Sequence, residues 1–183
     1  MSVRMLVFCL LASLALPSPT HAVSLQSAYD AASALSTYDK YVVLEAGARY
    51  TGGLALTYGT NTCIKGNGAV IDLEGGIILI QGTTTNLDID HCSIVNGGNP
   101  ELRTGNGALH FLGGSGNVHN NTFYMNTVGI RVYSSQAHSV IIVNNIIVKN
   151  TYGGVLCYIG NEPDVSYNNC WSNLGGNYLI DCG

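Results

Sequence analysis

Three groups of side chains in this sequence have types and spacing that could do chemistry. The first is His110, Arg131, Tyr133 and Tyr158, carried by the short apolar runs Leu109-His110-Phe111, Ile130-Arg131-Val132-Tyr133 and Val155-Leu156-Cys157-Tyr158. Ile130 and Val132 must point inward, because Arg131 would be costly inside. Arg131 and Tyr133 then point outward to solvent, and the same alternation turns His110 outward beside them. Arginine pairs with carboxylates through charge-assisted contacts, and tyrosines offer flat faces to sugar rings. The set suits an acidic polysaccharide. His110 or Arg131 would be the base that removes a proton beside a carboxylate, and Tyr133 and Tyr158 would be substrate contacts. A polar outer face with incidental aromatics accounts for the same residues without a ligand.

The second group is Glu101 and Arg103, in the stretch Gly97 to Asn106 that leads directly into the His110 run. Both are candidate substrate-binding residues, and Arg103 could neutralise a substrate carboxylate. A solvated loop is the plainer reading. The third group is Asp88 and Asp90, in Leu87-Asp88-Ile89-Asp90-His91-Cys92. With Ile89 inward, both carboxylates share an outer face and could hold Ca²⁺ through oxygen ligands. The alternatives are no cofactor at all and a polar face on a half-buried strand. One repeat back from this pair lies Lys65; one repeat on lie Asn117 and His119. No Gly-x-Ser-x-Gly nucleophile elbow is present, and no cysteines have zinc-type spacing.

These residues are positioned by a repeat. Asn121, Asn145 and Asn168 are 24 and 23 residues apart, and each has a second asparagine five residues on: Asn126, Asn150 and Asn173. Glycines open short alternating runs at 53, 76, 107, 129, 154 and 176, so the spacings are 23, 31, 22, 25 and 22. A fixed period of this length marks a stacked repeat architecture. Runs this short, aliphatic or β-branched and bounded by Gly or Asn, read as strands. About six coils of strands and turns stacked at ~4.8 Å make a rod of roughly 29 Å. The expected inward columns are Ile64, Ile89, Val118, Ile142 and Val165, and Ile94, Phe123, Ile147 and Cys170. Asn121, Asn145 and Asn168 are expected to stack at a corner in left-handed geometry. The one long interval, Gly76 to Gly107, places its excess in the Glu101 loop, and insertions in solenoids often fall on the binding face.

Composition sets the remaining bounds. Residues 1–22 read as a secretory signal: Arg4 supplies the charge, Met5 to Leu16 the apolar stretch, and Thr20-His21-Ala22 the cleavage site. The expectation is one domain over 23–183, secreted to the extracellular space or the periplasm, with no membrane attachment after signal cleavage. The mature chain has six Lys/Arg against eleven Asp/Glu, a formal charge of −5, and no basic stripe, which argues against a nucleic-acid partner. Five cysteines remain, and Cys182 is the best disulfide candidate, with Cys157 or Cys170. Leu25 to Leu35 is the one helical stretch, within a cap spanning 24–36. Ser24 can cap it, with Leu25, Ala28, Ala32 and Leu35 on one face. Such a helix would cover the open strand edge of the first coil.

Tyr41-Val42-Val43-Leu44-Glu45-Ala46-Gly47-Ala48-Arg49-Tyr50, followed by Ile64-Lys65-Gly66-Asn67-Gly68-Ala69-Val70-Ile71-Asp72, resembles the opening coils of the pectin-lyase-like superfamily. The later Val-x-Asn-Asn-x-Phe coils resemble that family's repeats. The resemblance implies an all-β, single-stranded, right-handed parallel β-helix. It also implies an acidic-polysaccharide ligand, possible cleavage by β-elimination as a polysaccharide lyase, and a cleft walled by loops entering the His110 sheet. Ile89-Asp90-His91-Cys92 is similar to part of a pectate lyase signature that begins with Trp; here Leu87 and Asp88 stand in that place. The family's arginine-proline motif and the polygalacturonase motifs are not found. The rival expectation is a non-catalytic surface, adhesion or structural module.

Overall fold

The computed structural model describes residues 22–99, 106–133, 137–158 and 163–181. The expected signal before residue 22 and Cys182 lie outside the described residues. Val23–Ser24 forms β1 and Leu25–Ala31 forms α1. Coil one then has β2 (Lys40–Val43), β3 (Arg49–Thr51) and β4 (Leu54–Leu56). Coil two has β5 (Asn61–Lys65), β6 (Val70–Asp72) and β7 (Ile78–Gln81). Coil three has β8 (Asn86–Asp90), β9 (Ser93–Val95) and β10 (Gly107–Leu112). Coil four has β11 (Gly114–His119), β12 (Thr122–Tyr124) and β13 (Val128–Tyr133). Coil five has β14 (Ala137–Val143), β15 (Ile146–Val148) and β16 (Gly153–Tyr158), and coil six has β17 (Asp164–Ser166), β18 (Asn169–Trp171) and β19 (Tyr178–Asp181).

Every third strand stacks in parallel, which gives three sheets. Sheet 1 runs β2-β5-β8-β11-β14-β17, sheet 2 runs β1-β3-β6-β9-β12-β15-β18, and sheet 3 runs β4-β7-β10-β13-β16-β19. The interior is filled by residues that repeat once per coil. Ile64, Ile89, Val118, Ile142 and Val165 stack in register on sheet 1. Ile94, Phe123, Ile147 and Cys170 do so on sheet 2. Both columns follow the expected register. A third column, Leu54, Ile78, Leu109, Ile130 and Val155, lines sheet 3. No coil buries an apolar face by itself; each is covered by its neighbours.

The corners differ from expectation by one residue. The left-handed backbone falls on His91, Asn120, Asn144 and Tyr167, with φ of 51°, 58°, 57° and 56°. Asn121 and Asn145, one step on, are 1 % exposed and act through their side chains. The backbone N–H of Asn121 donates to Asn145 Oδ1 at 2.9 Å, and Asn121 Nδ2 donates back to the Ile89 carbonyl at 3.0 Å. Asn145 repeats the pattern with Asn168 and Val118. A parallel ladder runs through Asn126, Asn150 and Asn173 at the next corner. A buried backbone N–H needs a partner, and these amides supply one. The ladders begin at coil four, where they also accept the Cys92 and Gly97 N–H groups.

α1 ends at Ala31, four residues before Leu35, and Ala32 is already extended (ψ 142°). Lys40 Nζ takes the Asp30 and Ala32 carbonyls at 3.0 and 2.7 Å, and Ser33 O accepts the Tyr41 N–H. The chain is needed to start sheet 1, and Leu35 is left exposed. Leu25 is fully buried over the first coil, so α1 covers that end, and Ser24 caps it by accepting the Ser27 N–H.

Candidate functional site

The outer face of sheet 3 brings together the first group of candidate residues. His110 on β10 lies directly beside Arg131 on β13, in register, with Leu79 on one side and Leu156 on the other. Tyr133 and Tyr158 are register partners in the next outward row. Their rings meet edge-on, with centroids 5.0 Å apart and planes at 70°. The Arg131 guanidinium carbon lies 5.1 Å from the Tyr133 ring centroid and 5.3 Å from that of Tyr158. Cation–π contact of this kind fixes the guanidinium beside both rings.

Outward orientation is as the alternation predicts, but solvent exposure is not. His110 is 6 % exposed and Arg131 8 %, while Tyr133 is 42 % exposed. Leu156, also outward, is buried. Alternation reports the direction of a side chain; it does not report what lies over it. Burial, and then the neighbouring Arg131 charge, push the His110 imidazole down to about 4. His110 is therefore neutral at physiological pH. Neither of its ring nitrogens has a hydrogen-bond partner among the described residues. An unpartnered buried polar ring is costly, and a ligand hydroxyl or carboxyl would relieve that cost.

Glu101 and Arg103 fall outside the described residues. The ends of their loop are described: it leaves β9 at Val95 and enters sheet 3 at Gly107. Gly98 N–H donates to the Gly76 carbonyl at 2.9 Å, which ties the start of the loop to the preceding coil.

Asp88 and Asp90 lie on sheet 1, not on the His110 sheet. The register places Lys65 and His119 beside Asp90, and Asn117 beside Asp88, as the repeat predicts. Lys65 Nζ sits 2.6 Å from Asp90 Oδ2, and this hydrogen bond, set against some desolvation, raises the Lys65 ammonium above its usual value. Asp88 accepts from the Tyr38 hydroxyl at 2.6 Å and from Asn117 Nδ2 at 2.7 Å. The Tyr38 hydroxyl is pushed well above the usual phenol range, first by this hydrogen bond and then by burial. Each carboxylate is thus engaged by protein donors, which a calcium ion would have to displace. Among the described residues, no group of three or more His, Cys, Asp or Glu side chains is arranged to hold a metal ion. Tyr38 was not foreseen. It reaches Asp88 through the left-handed turn at Ser36, and that segment has no alternation to read.

Comparison with known proteins gives one match. The sequence model described as right handed beta helix region matches residues 45–182. No curated protein and no solved structure matches the chain.

Proposed function

The chain belongs to the right-handed β-helix family, and on that premise we infer that it binds an acidic polysaccharide on the outer face of sheet 3. The pectin-lyase-like superfamily fits this fold. The observation that carries the reading is the Arg131 guanidinium held against the Tyr133 and Tyr158 rings beside a neutral His110. Arg131 pairs with a uronate carboxylate, Tyr133 stacks on a sugar ring, and His110 bonds a hydroxyl. A signal segment at residues 1–22, as the sequence suggests, would carry the protein outside the cytoplasm, where such polymers occur.

Binding is better supported than β-elimination. A base must be poised near the working pH, and an imidazole held near 4 is a weak proton acceptor. The rival reading is a structural or adhesion module, and the burial of His110 and Arg131 favours it. Binding assays on pectate, alginate and glycosaminoglycans, with unsaturated products followed with and without Ca²⁺, separate the three readings. Binding without product supports the present one. Product formation supports a lyase, and no binding to any acidic glycan supports the structural module.

A further inference from the structure

The outer face of sheet 2 carries a different surface from the Arg131 face. In coils four to six its outward positions form two rows. One row is Thr122, Ile146 and Asn169; the other is Tyr124, Val148 and Trp171. Trp171 is 43 % exposed, and Val148 lies almost flush between the two rings at 7 %. The ring pairs among the described residues are Tyr38–Tyr41 and Tyr133–Tyr158, so Trp171 is packed against no other ring there. Lys149 Nζ rests 5.8 Å from the Tyr124 ring centroid. Its side chain is exposed. Lys149 is also the one charged residue on these three strands and their corners among the described residues; the other exposed polar groups include Asn120, Asn144, Asn169 and Ser172.

Tyr124 and Trp171 are two strands apart, so their attachment points are separated by ~9.6 Å. A flat, two-fold β-1,4-linked chain presents the same ring face once per disaccharide, over a matching length. We propose that this face binds a neutral β-1,4-linked glycan, with alternate pyranose rings stacked on Tyr124 and Trp171 and hydroxyls bonded by Asn169 and neighbouring amides. Three strands at ~4.8 Å and two outward residues ~6.6 Å apart span roughly 100 Å², the footprint of a few sugar rings.

Trp171 is the only tryptophan in the chain, so its fluorescence reports on this face alone. Titration with cellohexaose should shift its emission to shorter wavelength and saturate, and microcrystalline cellulose should retain the protein. Trp171→Ala and Tyr124→Ala should each lower retention about 10-fold or more, and Trp171→Phe, which keeps a ring, should lower it less. Circular dichroism melts check that the variants fold. Arg131→Ala should leave cellulose retention unchanged, which separates this face from the acidic-glycan face. No emission change with cellohexaose would overturn the proposal. So would a shift that follows protein concentration without sugar, which would mark a surface for self-association.

Discussion

Asn145 donates both its backbone N–H and its side-chain amide to a single acceptor, Asn168 Oδ1, at 2.9 Å each. Its own Oδ1 receives the same pair of donors from Asn121. Asn145→Ala therefore orphans the Asn121 N–H and takes a donor from the Val118 carbonyl, while its own N–H keeps Asn168 Oδ1; each buried group left unsatisfied costs roughly 1–3 kcal/mol. Urea unfolding should show a loss of at least that size for one donor.

The neighbouring residue should behave in the opposite way. Asn144 has a φ of 57° and an exposed side chain. Asn144→Gly should be near neutral, and Asn144→Val should cost about 1–2 kcal/mol through left-handed strain alone. If unfolding midpoints ranked the two sites the other way, the division of labour between corner residues would be wrong.

Phe123 is fully buried between Ile94 and Ile147. Phe123→Ala should cost about 3–5 kcal/mol as a core cavity. A loss below about 1 kcal/mol would mean that the column closes over the gap.

Stability should depend on pH through His110. Its folded value lies near 4, below the unfolded value of about 6.5. Between these the unfolded chain binds the proton and the folded protein does not. Stability should therefore be full above about pH 6.5 and fall with pH down to about 4, by about 3 kcal/mol in total. His110→Phe should remove that component. Unfolding curves for both proteins at pH 4, 5, 6.5 and 8 test this, and parallel pH profiles would contradict it.

Affinity for an acidic oligosaccharide should fall about 10-fold or more in Arg131→Ala, since a charge-assisted contact is worth about 1.5–3 kcal/mol. Arg131→Lys keeps the charge but loses the planar fork, so it should also bind weakly. Isothermal titration with oligogalacturonate would show this. Wild-type affinity in Arg131→Lys would mean that only diffuse attraction operates.

The stacked interior was legible because one register decision, made at Ile89 and Val118, propagates through every coil. The corners were legible as corners but not residue by residue. Asn120 and Asn121 stand side by side, and sequence does not say which bends and which bonds. Coil six separates the roles, since Tyr167 takes the left-handed position and Asn168 the ladder. The end of α1 was missed because Lys40, nine residues beyond Ala31, decides it. At the candidate site, alternation found the face of His110 and Arg131. Arg131 lies against Tyr133 on its own strand and Tyr158 on the next coil, and alternation along one strand does not carry how deeply such contacts bury a side chain.

Asn121, Asn145 and Asn168 make the same contacts one coil apart, so the ladder has translational symmetry along the rod. An insertion of one whole period after Asn145 would find its donors and acceptors waiting on both sides. An insertion of half a period would leave amides facing the wrong strand. Length in such a molecule is a quantised variable, and tandem duplication of about two dozen residues is its natural unit of growth.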